Sequence, residues 1–119
     1  MRRALTAVCA LLLAGHAAAQ EPAAPGKGAV LRALDKITTE VRDLELANGD
    51  SAAFGSLTVE LGECRYPEEN PASDAYAFLV IRATETGKVL FSGWMLASSP
   101  ALNALEHPRY DVWVLRCTT

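Results

Sequence analysis

Histidine, cysteine and basic charge are all scarce in this 119-residue chain, and each shortage removes a class of function. Eleven Lys and Arg stand against fourteen Asp and Glu, for a formal charge of −3. No basic cluster is present, and without one a phosphate backbone has nothing to bind, so nucleic acid is excluded as a partner. The two histidines are His16 and His107, too few for a histidine metal cluster. No two of the three cysteines stand in the close Cys-x-x-Cys spacing that tunes a redox thiol. No serine is flanked by glycines as an exposed nucleophile would be. No internal repeat is seen. What is there, 50% hydrophobic and 21% charged residues, suits one small globular domain.

The first twenty residues read as an address. Met1-Arg2-Arg3 is a positive n-region, Ala4 to Gly15 a short apolar run, and Ala17-Ala18-Ala19 an A-x-A site before Gln20. That is the layout of a secretory signal peptide cut after Ala19, and the run is too short to span a bilayer. No transmembrane segment is expected after cleavage. Cys9 lacks the upstream Leu of a lipoprotein signal, so no lipid anchor is expected, and His16 leaves with the leader. The expected location is the periplasm or beyond. In that oxidising setting Cys64 and Cys117 are expected to form an intramolecular disulfide, in preference to an intermolecular bridge or a redox pair. A loop of about 53 residues would contribute on the order of 4 kcal/mol.

Residues 20–28 (QEPAAPGKG) read as a flexible tether, and residues 29–119 as a single β domain. Ala29 to Ile37 places Val30, Leu34 and Ile37 at helical spacing but lacks a good cap and runs into Thr38-Thr39, so it reads as an extended strand in preference to a helix. Val41 to Leu46 is an expected strand. Asn48-Gly49 signals a type I′ hairpin turning the chain toward Ala52-Ala53-Phe54. In Ser56 to Tyr66, Leu57, Val59 and Leu61 alternate with Thr58 and Glu60. A bulge at Gly62 would shift the phase and turn Cys64 and Tyr66 inward. Pro67 to Asp74 is a loop. Ala75 to Ala83 and Val89 to Leu96 make a hairpin about Glu85-Thr86-Gly87. Tyr110 to Cys117 is apolar on both faces and reads as a central strand. Ser99 as N-cap and Pro100 at the first position predict a two-turn helix to Glu106, with Leu102 and Leu105 sharing a face. The sum is a mostly β fold, a small antiparallel β-sandwich or partly open barrel with one short C-terminal helix and one disulfide.

Catalytic constellations are weak. Ser99, His107 and Asp111 lie within thirteen residues, but a nucleophilic triad also needs an exposed nucleophile and an oxyanion hole. The better reading makes Ser99 a helix cap, His107 a C-terminal complement to the helix dipole, and Asp111 an acceptor for the preceding turn. Glu68, Glu69 and Asp74 fit no calcium loop and read as a solvated turn. No metal, cofactor or enzymatic activity is expected. Trp113, flanked by Val112 and Val114, reads as core. Trp94 lies between Gly93 and Met95, where a bulge could expose the ring beside Tyr110, and the sequence leaves its exposure open. The candidate binding surface is therefore Trp94, Met95, Ser99, Glu106, His107, Tyr110 and Asp111.

The stretch FSGWMLASSPALNALEHPRYDVWVLRC, with LDKITT, the Phe-Gly-Ser-Leu segment and a Cys before a Pro-rich loop, resembles one family. It is similar to the alphaproteobacterial exported proteins grouped as domain of unknown function 2155, over nearly all of Ala29 to Cys117. The sequence departs from that pattern at Thr39, where the family has a glycine. The resemblance implies a place in the cell envelope and carries no activity or catalytic residue. Two functions follow as expectations. One is a non-enzymatic periplasmic interaction module that binds an envelope protein through the Trp94-to-Tyr110 surface. The other is a module binding, or weakly hydrolysing, envelope glycan or peptidoglycan.

Overall fold

The computed structural model describes residues 22–119; the leader expected over residues 1–19 lies outside them. Eight strands form two antiparallel sheets that face one another without closing into a barrel. They are β1 (Ala23–Pro25), β2 (Gly28–Asp35), β3 (Val41–Ala47), β4 (Ser51–Phe54), β5 (Leu57–Pro67), β6 (Tyr76–Ala83), β7 (Val89–Leu96) and β8 (Tyr110–Thr118). The first sheet runs β1-β5-β6-β7, with β4 also on β5, and the second runs β3-β2-β8. Alternation builds the core between them. Leu31, Ala33, Leu44 and Leu46 point in from the second sheet, and Leu57, Val59, Leu61, Leu79 and Ile81 from the first.

The bulge expected at Gly62 is present, as a register shift between Leu61 and Glu63. It brings Cys64 into the core while Tyr66 is half-buried. There Cys64 meets Cys117 in a disulfide that joins β5 of one sheet to β8 of the other. The segment read as a tether is built in over its described part. Ala23–Pro25 pair with β5, the Gly26 N–H donates to the Cys64 carbonyl at 2.7 Å, and the Lys27 N–H to the Thr118 carbonyl at 2.8 Å. A Cβ on Gly26 would press on the Thr118 carbonyl and on Cys117. Its glycine serves close approach over the disulfide, which composition alone cannot distinguish from looseness.

Four further expectations are corrected. Asn48-Gly49 does not make a type I′ hairpin. Only Gly49 has positive φ (+87°), the Asp50 N–H donates to the Ala47 carbonyl as in a type II turn, and the flanking β3 and β4 belong to different sheets. β8 is an edge strand and β2 the central one. Apolar residues stand on both faces of β8 because its outer face is half-covered, and Trp113 lies there half-buried instead of in the core. The helix expected to Glu106 is a single 3₁₀ turn, Pro100–Leu102, with no side-chain bond from Ser99. Leu102 is 74% exposed and Leu105 only 5%, so they share no face. A helix this short is marginal alone, and burial of Leu105 together with an Asn103 side-chain bond to the Trp94 carbonyl holds the chain extended.

Thr39 adopts a left-handed backbone, φ +63°, a conformation that costs a β-branched residue strain and glycine almost none. The tight turn from β2 to β3 is thus made with a residue poorly suited to it.

Candidate functional site

Strand register assembles an aromatic face that the sequence did not show as a unit. On β6, Tyr76, Phe78 and Val80 alternate with the buried Ala77, Leu79 and Ile81, so they point away from the core. The β6–β7 hairpin pairs Tyr76 with Leu96, Phe78 with Trp94 and Val80 with Ser92. Trp94 is 38% exposed, and its ring meets Phe78 edge-on at 5.4 Å between centroids. Phe78 lies over the bulge glycine, Gly62. An edge-on pair of this kind holds the indole in a fixed pose at low entropic cost. The signal was legible in the alternation of Ala75 to Ala83, once paired in register with β7.

Charge around this face is internally neutralised. Arg82 reaches Glu60 at 2.7 Å and Arg65 reaches Glu63 at 3.2 Å, each pair partly exposed and so contributing little to stability. With these charges paired, the apolar rings are the feature that a ligand would meet.

The expected Trp94-to-Tyr110 surface is divided by the fold. Trp94, whose exposure the sequence left open, is exposed, but Met95, its neighbour on the opposite face of β7, is 2% exposed and belongs to the core. Tyr110 is also core, at 2% exposed; it packs edge-on against Phe54, and the Ser56 N–H and hydroxyl donate to its phenol oxygen. Those two bonds from Ser56, the side-chain one first, hold the Tyr110 phenol below its usual range. A ring so enclosed cannot serve as a contact residue. Ser99 and Asp111 are half-buried and Glu106 is exposed, all on or beside the strap of residues 97–109 that crosses from β7 to β8.

His107 fastens this strap. Its Nδ1 accepts the backbone N–H groups of Arg109 and Tyr110 at 3.0 and 3.2 Å, and its carbonyl accepts Lys36 Nζ at 2.8 Å. With Nδ1 so occupied, His107 caps a turn; no helix C-terminus stands there for it to complement. Neither Ser99 nor Asp111 bonds to the imidazole among the described residues. Beside it, Arg109 grips the buried Asp35 through Nε and Nη2, while Asp35 also accepts the N–H groups of Ile37 and Thr38. The Arg109 bond, aided by those backbone donors, holds the Asp35 carboxyl well below the usual range. At the other end of the strap Asp74, read as part of a solvated acidic loop, instead accepts Ser98 through both backbone N–H and hydroxyl. The Asp74 bonds make the loop before β6 a fastening for the strap.

Between the strap and β8 lies a groove of about 300 Å³, lined mainly by Pro100, Ala101, Ala104, Asp111, Val112 and Trp113. Among the described residues no three metal-binding side chains gather, and no helix is long and apolar enough to cross a membrane.

Similarity to known proteins covers the two-sheet body. The uncharacterized protein RP359 of Rickettsia prowazekii (strain Madrid E) is 32% identical over 88 residues, 71% of this chain and 57% of that protein. The chain therefore spans little more than half the length of that relative. No solved structure matches the chain. The family model for "Uncharacterized protein conserved in bacteria (DUF2155)" matches residues 29–117. That span opens on a core alanine of β2 and closes on the disulfide cysteine of β8. It contains the aromatic face, the strap and both cysteines, and the chain belongs to the DUF2155 family.

Proposed function

We propose that this protein is a non-enzymatic interaction module of the cell envelope, exported by its N-terminal segment, which holds an envelope protein on the outer face of the first sheet. One observation carries the reading: Trp94 stands exposed on a rigid sheet, posed by Phe78 and flanked by Tyr76 and Leu96. Large rings presented at fixed orientation are the usual anchors of protein interfaces. The His107 geometry supports a structural role for that residue and lends none to a hydrolytic triad.

The test is affinity capture from cross-linked envelopes with the wild-type protein and with Trp94→Ala. The expected result is one dominant protein partner that Trp94→Ala loses, with the thermal midpoint nearly unmoved because the ring is partly exposed. A partner retained at full level by Trp94→Ala would refute the reading. Envelope glycan is the second reading, favoured by the paired charges beside the same aromatic face. It requires the protein to pellet with isolated sacculi, and no pelleting by the wild type eliminates it.

A further inference from the structure

The groove between the strap and β8 has a chemistry of its own, on the other sheet from Trp94. Asp111 and Trp113 are two residues apart on one strand, so both side chains leave the same face, about 7 Å apart along it. Strap residues Pro100, Ala101 and Ala104 wall the opposite side. The Trp113 indole donates no hydrogen bond and meets no other ring among the described residues. Asp111 accepts no hydrogen bond there either. Its one ion pair is a long 3.7 Å approach from Lys36, whose ammonium is committed at 2.8 Å to the His107 carbonyl. Arg32, directly across from Trp113 on β2, is bound at both Nε and Nη2 by Asp43. Glu106, next to the groove wall in sequence, is exposed and carries no ion pair among the described residues.

We propose that this groove binds an arginine side chain presented by a partner polypeptide. A guanidinium stacks on an indole face and at the same time offers a carboxylate two parallel N–H donors, and the spacing of Trp113 and Asp111 suits that double contact. The apolar strap wall would cover the aliphatic stem, as long cationic side chains commonly require. The fold already sets guanidinium groups against rings internally, Arg42 on Phe54 at 5.2 Å and Arg109 on Tyr110 at 5.3 Å. Trp113 carries no such cation among the described residues. The acidic balance of the chain favours a cationic partner as well. This site is independent of the aromatic face and stands or falls separately from it.

The probe is an acetylated, amidated Gly-Arg-Gly peptide, with its citrulline and lysine counterparts as controls, added to the oxidised protein. The readout is the indole N–H resonance of Trp113, assigned by its loss in Trp113→Phe. The arginine peptide should shift that resonance saturably and more strongly than lysine, and the uncharged citrulline peptide should not shift it. Asp111→Asn, which keeps side-chain size, should weaken the arginine peptide about tenfold with an unchanged spectrum elsewhere; Glu69→Gln, on the distant loop, should leave it unchanged. Equal shifts by arginine and citrulline, full binding by Asp111→Asn, or no saturable shift at peptide concentrations on the order of 10 mM would each overturn the proposal.

Discussion

Reducing the Cys64–Cys117 bond should destabilise the domain through its unfolded state. The bond joins residues 53 apart in sequence, so opening it returns loop entropy worth about 4 kcal/mol at 25 °C in the chain-entropy treatment. A domain of this size has roughly 5–15 kcal/mol of stability in all. At about 4–8 °C per kcal/mol, the thermal midpoint should fall by on the order of 20 °C. The folded state should change little, because Cys64 is enclosed in the core and its carbonyl keeps the Gly26 N–H. The assay is thermal unfolding by circular dichroism with and without a phosphine reductant, repeated on the Cys64→Ala/Cys117→Ala double variant. The double variant should melt near the reduced wild type and ignore reductant. A reduced wild type that melts within about 5 °C of the oxidised protein would refute the reasoning.

Two further substitutions probe the strap and the β2–β3 turn. Leu105→Ala should cost about 2–5 kcal/mol in urea unfolding, because Leu105 plugs the core, whereas the exposed Leu102→Ala should stay within about 0.5 kcal/mol. A helix with both leucines on its buried face would make both costly. Thr39→Gly should raise stability by about 0.5–1 kcal/mol, since it relieves the strain of a left-handed β-branched residue and returns part of the gain as chain entropy in the unfolded state. A loss of stability in that variant, measured by the same urea titration, would show that the Thr39 side chain contributes more than its backbone costs.

Local patterning determined much of this protein. The alternation of Leu57, Val59 and Leu61, the phase shift at Gly62 and the turn about Glu85-Thr86-Gly87 depend on neighbours in sequence, and the strands and bulge form where that pattern places them. The disulfide was legible because the two cysteines beyond the expected leader have few alternatives in the oxidising compartment that such a leader implies. Neither the exposure of Trp94 nor its pairing with Phe78 was legible, because both depend on cross-strand register. Tertiary structure alone decided the remainder. An apolar strand such as β8 reads the same whether a neighbouring strand or a strap covers its flank, so its edge position and the half-burial of Trp113 could not be seen. Pro100 to Glu106 has a helix-like pattern, yet one buried leucine and one asparagine bond outweigh the weak propensity of so short a segment. Met95 and Tyr110 sit beside exposed or half-buried residues in sequence and inside the core in space, because neighbouring residues of a strand point to opposite faces and only the packing of the second sheet decides which face is buried.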